Sequence, residues 1–366
     1  MKKLCLIYNY AAHYRAAIFE LIDKTFDCDF VFGDNYLDVK KMDYSLLRGH
    51  VTEVHNARAS SFYVQRGVMR FLKHPYDCYL LLGEIRCLST WCFLLRSRLQ
   101  KDKKVYLWSH GWYGKENGIK KILGRWFYGM ADGTFLYNYY ARGLMIEGGM
   151  DPDKLFVIHN SLDYDSQIRI RAGLASQDLY RQHFGNLDEV LLFVGRLTPV
   201  KKLDMLLEAT ALASRSGDHY NVVLIGDGQM LAELREKAAA LGLQDRVWFY
   251  GACYDEKDLG NLIYNADLCV APGNVGLTAM HSLVFGTPVI THNCFKWQMP
   301  EFEAIIPGVT GSFYEYGNVE SLKDTIRLWF EAHNADREEV RQACYSEIDR
   351  SWTPAFQIEV LKSHLQ

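Results

Sequence analysis

Residues 191–203 read LLFVGRLTPVKKL. An apolar run stops at Gly195, Arg196 follows at once, and Lys201 and Lys202 stand just before a new apolar pattern. From Leu203 onward, Leu206, Leu207 and Ala211 repeat at helical spacing. The stretch therefore predicts a buried strand, a glycine turn, a cationic loop and an amphipathic helix. A loop of that kind presents free backbone N–H groups at a positive helix end, and a forked guanidinium beside an ammonium suits phosphate.

The same alternation runs through the chain. Continuous apolar strands are predicted at 4–8, 28–32, 78–82, 105–109, 133–137 and 155–158, then at 190–194, 222–225, 246–250, 268–271 and 288–291. Runs that are apolar at every position suit parallel strands covered on both faces. Two such sets predict an α/β chain of two Rossmann-like domains facing across a cleft, with ligands at the carboxyl ends of the strands. The polar segment 165–187 predicts the division, placing the domains at 1–170 and 171–345. Residues 346–366 are expected to form a closing helix that packs back on the first domain.

Composition is that of an ordinary globular chain, 366 residues with a net charge of −3. The charge is uneven. Residues 1–185 hold 26 Lys and Arg against 19 Asp and Glu, and residues 186–366 hold 15 against 25. The halves are expected to meet different partners, the basic one facing anionic groups. It carries no nucleic-acid-binding motif. Nine cysteines occur without C-x-x-C spacing, which predicts small core residues in a reducing compartment. The apolar run after Met1 is too short for a signal peptide, and no 18-residue apolar stretch exists. The expected location is cytoplasmic, with contact at the inner face of the membrane.

The motifs that follow Gly195 carry a resemblance. FVGRL with its lysine (Phe193–Lys201) is followed by LIGDG (224–228), VWFYGACYDEKDLGNLIYNADLCVAP (247–272), GLTAMHSLVFGTPVI (276–290) and EAIIPGVTG (303–311). In this order they resemble the retaining glycosyltransferases of family 4, which have the GT-B fold. The first half is similar in AAHYRAAIFELI (11–22), SHG (109–111) and VIHNSLD (157–163). The resemblance implies that the second domain holds the nucleotide diphosphate of a sugar donor. Gly195, Arg196, Lys201, Gly226, Gly228, Tyr250, Gly251, Asn274, Gly276, Leu277, His281 and Glu303 would form that donor site, with Glu301 an alternative to Glu303. Arg196 and Lys201 would stabilise the departing diphosphate, so neither a metal nor another cofactor is expected. The short acidic pairs at 27–29, 151–153 and 163–165 suit turns as well as metal. His110 would line the cleft near the transferred sugar. His13, Arg15 and Glu84, after strand ends of the first half, are acceptor-side candidates.

One departure stands out. Family members carry two glutamates eight positions apart. Aligned on Gly276 and Gly286, those positions hold Gly273 and His281. The resemblance gives the second glutamate to ribose and the first to the sugar, so the hold on the donor differs here. Asn274 is the nearest polar replacement for the sugar contact. The segment KENGIKKILGRWFYG (115–129), and the basic LRSRLQKDKK (95–104), suit an anionic membrane surface. The expected function is transfer of a sugar from a nucleotide-sugar to a glycan or polyprenyl-linked acceptor. A non-catalytic nucleotide-sugar-binding or scaffold protein is an alternative. A nucleotide-sugar 2-epimerase, which shares the fold but lacks the GRL-x3-K order, is another.

Overall fold

A computed structural model describes residues 3–35, 39–100, 102–333 and 337–365. Lys101, one of the cations of the 95–104 stretch, lies outside the described residues. The chain divides into two compact units, Met1–Tyr164 with Thr353–Gln366, and Asp165–Trp352.

In the first unit the strands are β1 (Lys3–Tyr8), β2 (Asp27–Gly33), β3 (Val51–Val54), β4 (Asn56–Ala59), β5 (Phe62–Gln65), β6 (Cys78–Leu82), β7 (Lys104–Ser109), β8 (Gly133–Leu136) and β9 (Leu155–Val157). Seven form a parallel sheet in the order β3-β2-β1-β6-β7-β8-β9, and β4 and β5 pair as a separate antiparallel hairpin. Alternate residues of β1 enter two different cores. Leu4, Leu6 and Tyr8 join the cluster beneath the helix Ala16–Thr25, and Cys5 and Ile7 join the opposite one. Burial on both faces is why this strand reads as an unbroken apolar run. β3 and the hairpin are absent from the sequence reading because Thr52, Glu53, His55 and Arg58 interrupt their apolar pattern.

The closing helix Pro354–Leu365 lies on this unit. Ile358, Leu361 and Leu365 are buried in the core cluster that contains Ile18 and Phe19. Its Gln357 donates to the His159 carbonyl at 2.7 Å and accepts from Ser161 Oγ at 2.6 Å. Each of those three apolar side chains contributes roughly 1.5–3 kcal/mol when fully buried.

The second unit adds β10 (Glu189–Val194), β11 (Tyr220–Ile225), β12 (Val247–Gly251), β13 (Leu268–Val270), β14 (Val289–His292) and β15 (Gly311–Tyr314), parallel in the order β12-β11-β10-β13-β14-β15. The chain runs outward from β10 through β11 and β12, then restarts on the other side at β13. The order reverses between β10 and β13, so the loops leaving those two strands open a crevice, the place where doubly wound sheets bind ligands. Residues 165–187 hold two helices, Tyr164–Arg171 and Leu179–Phe184, with residue 170 inside the first. Their polar surface hides two anchors. Arg171 makes a two-point ion pair with Asp349, and buried Tyr180 donates to the Leu262 carbonyl at 2.6 Å.

Candidate functional site

Three loops in the second unit are laced together at the carboxyl edge of the sheet. The Gly195 N–H donates to the Ile225 carbonyl at 2.9 Å, and the Gly226 N–H donates to the Gly251 carbonyl at 2.8 Å. Leu197 donates to the Asp227 carbonyl, and the Met230 N–H returns to Leu197. This lacing needs Gly226. Its φ is +147°, and a Cβ there would stand 1.9 Å from the Gly195 carbonyl oxygen. Gly228 passes Leu197 in the same layer. Tyr250 closes β12 with its ring 5.1 Å from that of Trp248. The loops after β10, β11 and β12 therefore form one backbone-lined edge.

Against this edge the loop after β10 docks on the loop after β13. The Gly273 N–H donates to the Lys201 carbonyl at 2.9 Å, and the Asn274 N–H donates to the Val200 carbonyl at 3.1 Å. Lys201 Nζ returns the contact, donating to the Asn274 carbonyl at 2.6 Å. Buried Gln298, which sequence reading missed, holds the arrangement from below. Its Oε1 accepts from the Val275 N–H at 2.9 Å, and its Nε2 donates to Thr291 Oγ1 at 2.7 Å. Leu277 opens the helix Leu277–Val284, with Gly276 at its cap. Lys201 Nζ lies 3.9 Å from where a Cβ on Gly276 would stand, so the ammonium sits beside the positive end of that helix. Arg196 is exposed and makes no hydrogen bond or ion pair among the described residues. One cation is built in and the other is free to reach a ligand.

Burial pushes the Lys201 ammonium down to about 8. The carboxylate of Glu301 opposes this shift and the Arg196 guanidinium adds to it. A sign follows for ligand binding. Below about pH 8 the charge is already present. Above it, a bound anion must first draw a proton onto Lys201. Affinity for a nucleoside diphosphate is therefore expected to fall as pH rises beyond that point, approaching about tenfold per pH unit. Calorimetric titration at pH 7 and pH 9 measures it, and equal affinities would rule out a charged Lys201 at the anion.

Glu301, only 2% exposed, is thus the acid whose field reaches Lys201, while Glu303 is half-buried. At the two altered motif positions the structure separates the cases. Gly273 leaves no vacancy: a Cβ there would stand 2.0 Å from the Val200 carbonyl oxygen and 2.7 Å from the Lys201 carbonyl carbon. His281 is half-buried, and its Nδ1 lies 3.6 Å from Glu256 Oε1, beyond hydrogen-bond reach. Glu256 accepts from Gln167 Nε2 at 2.8 Å. Burial works against its ionisation, but His281 and the Gln167 hydrogen bond outweigh it and hold the carboxyl below the usual range. A carboxylate thus stands beside position 281 although none stands on it. Its sequence signal was the Asp255-Glu256 pair opening a helix, where Asp255 caps the N–H groups of Lys257 and Asp258.

In the first unit the sheet order reverses between β1 and β6. His13 is exposed and its ring lies 3.2 Å from the Lys40 carbonyl. Arg15, placed at the cleft edge by sequence, is instead 7% exposed. Its Nη1 donates to the Tyr137 hydroxyl at 2.7 Å, and its guanidinium lies 4.7 Å from the Trp108 ring centre and 4.9 Å from that of Tyr8. The carboxyl ends of three strands, β1, β7 and β8, bring those rings together, and their π faces hold the charge in place of a carboxylate. His110 meets the same Tyr137, ring centres 4.7 Å apart. Burial, aided by the Arg15 charge, lowers its imidazole to about 4. At neutral pH it is an uncharged hydrogen-bonding group. Glu84 accepts from the Tyr63 hydroxyl at 2.9 Å. Among the described residues, no group of three or more His, Cys, Asp or Glu is disposed to hold a metal ion.

With this geometry in hand, similarity to known proteins is informative. Residues 179–346, within the second unit, match the family described as glycosyl transferases group 1. The chain is 25% identical over 309 residues, 82% of its length, to an uncharacterised 41.2 kDa protein in the cps region of Klebsiella pneumoniae, covering 75% of that protein. It is 30% identical over 157 residues to mannosylfructose-phosphate synthase of Agrobacterium fabrum, where it spans only 31% of the relative. Anabaena HepE, solved in complex with UDP, superposes with a TM-score of 0.73 at 17% identity, covering 100% of this chain and 99% of that one. The fold is GT-B, two Rossmann-like α/β units with parallel sheets.

Proposed function

We propose that the chain is a retaining, metal-independent glycosyltransferase. It moves a sugar from a nucleotide-sugar to a glycan or polyprenyl-linked acceptor in cell-surface polysaccharide or glycoconjugate synthesis. The carrying observation is the pairing of exposed Arg196 with Lys201, whose ammonium is held against the Asn274 carbonyl beside a helix start. As the glycosidic bond breaks, negative charge grows on the leaving diphosphate. A fixed ammonium and a mobile guanidinium stabilise that charge most where it is largest. Glu256 and His281 offer an acceptor and a second polar group in reach of ribose hydroxyls. Neutral His110 lies on the acceptor unit. The group 1 family match, a relative solved with UDP and a relative in a cps region support this reading.

A non-catalytic nucleotide-sugar-binding protein is the second reading, favoured by the backbone-filled position at Gly273. One assay separates the two. The purified chain, incubated with a panel of nucleotide-sugars, is expected to release nucleoside diphosphate slowly from one of them, and the release should vanish in Arg196→Ala. Binding of a nucleotide-sugar without any release would favour the second reading.

A further inference from the structure

Two neighbouring helices of the first unit are apolar on the wrong side. In Gly118–Gly129 the residues turned to the core are Gly124, Phe127 and Tyr128. Ile119, Ile122, Leu123 and Trp126, at i, i+3, i+4 and i+7, form the opposite face, and all four are exposed, Ile119 at 75% and Trp126 at 67%. The helix Leu88–Ser97 repeats the pattern. Ser89, Thr90, Phe93, Leu94 and Ser97 face inward, while Leu88, Leu95 and, just beyond the helix, Leu99 at 84% are exposed. Trp91 and Phe127, ring centres 5.0 Å apart, hold the two helices side by side. Neither helix contains an acidic residue. Arg96, Arg98, Lys115, Lys120 and Arg125 are exposed on and around them.

We propose that this two-helix face docks on an anionic lipid bilayer. Isolated exposed leucines need no explanation, but seven large apolar side chains aligned along the outer sides of two packed helices do. A helix of 12 residues with an apolar stripe, a Trp on it and cations beside it suits the interface plane of a membrane. Charge selects the occupant. A second copy docked face to face would set these cations against their own kind, whereas anionic headgroups neutralise them. Among the described residues no helix is long and apolar enough to cross a membrane, so contact would be with the surface. The proposal uses only side chains of the first unit and does not rest on the sugar-transfer reading.

Flotation of the full chain with vesicles tests it. Binding is expected to vesicles of phosphatidylcholine mixed with phosphatidylglycerol, to weaken with added salt, and to be absent with phosphatidylcholine alone. The double variant Ile122→Glu/Trp126→Glu should lose about tenfold or more of the binding. Its melting temperature should stay unchanged, because both side chains are exposed. Leu187→Glu, an equally exposed leucine of the second unit, is the matched control and should bind as the wild type does. Undiminished flotation of the double variant, or no flotation of the wild type, would overturn the proposal. So would a concentration-dependent dimer that the double variant abolishes while lipid binding is absent, since the face would then serve self-association.

Discussion

Gly273→Glu, which restores one of the two motif glutamates, should destroy the site rather than improve it. The new Cβ would stand 2.0 Å from the Val200 carbonyl oxygen and 2.7 Å from the Lys201 carbonyl carbon. Both are backbone atoms, so no rotamer change relieves the clash. The loop must move, which breaks the Gly273-to-Lys201 and Asn274-to-Val200 hydrogen bonds and swings Lys201 away from Asn274. Overpacking and two lost hydrogen bonds together cost on the order of 3–5 kcal/mol. Differential scanning calorimetry should therefore show a fall in melting temperature of roughly 10 °C. Nucleoside diphosphate binding should disappear with it. A variant that melts and binds like the wild type would mean that the loop after β10 does not rest on the loop after β13. The other altered position behaves differently. His281→Glu brings a second carboxylate beside Glu256, and two like charges that close raise the pKa of one of them. A gain from His281→Glu is expected only when Glu256→Gln accompanies it.

The second large effect distinguishes the two cations. Arg196→Ala and Lys201→Met should both weaken nucleoside diphosphate binding by about 10- to 100-fold, the range for removing a charge-assisted hydrogen bond. They should part company in stability. Arg196 is exposed with no hydrogen bond or ion pair among the described residues, so its removal should leave stability within about 0.5 kcal/mol of the wild type and the melting temperature nearly unchanged. Lys201→Met takes the donor from the Asn274 carbonyl and the nearby cation from buried Glu301. Loss of roughly 3 kcal/mol is expected, by analogy with breaking a buried charge pair. Isothermal titration for affinity and thermal melts for stability give the two readings on the same preparations. Equal melting temperatures for the two variants would mean that Lys201 is as loosely held as Arg196. Unchanged affinity in Arg196→Ala would remove that residue from the anion site.

The catalogue of elements that were readable from sequence has a common physical cause. β1, β6, β10 and β11 are buried on both faces over nearly their whole length, so all but Lys3, Glu189 and Asn221 are apolar or aromatic, and the runs announce themselves. β15 escaped because only Gly311 and Tyr314 of its four residues are buried. The glycines at 226 and 228 were readable because close backbone passage admits no side chain, and Gly195 because its φ of +144° favours glycine. Gly273 obeys the same rule, yet sequence comparison presents it as a lost glutamate, since a gap in a motif and a filled space look alike in one dimension.

What the residues determined alone is the pattern of two parallel sheets, the turn after β10 and the presence of two cations in it, because local burial and backbone sterics leave their mark on neighbouring positions. What only the tertiary structure decided is which charges are fastened and which are free. Arg15 lies over Trp108 and donates to Tyr137, Glu256 stands by His281 from a different helix, Gln298 braces the Val275 loop, and Lys201 is tied down while Arg196 is not. Each of these is a contact between residues far apart in the chain. Its energy depends on distances that folding sets and that no run of adjacent residues encodes.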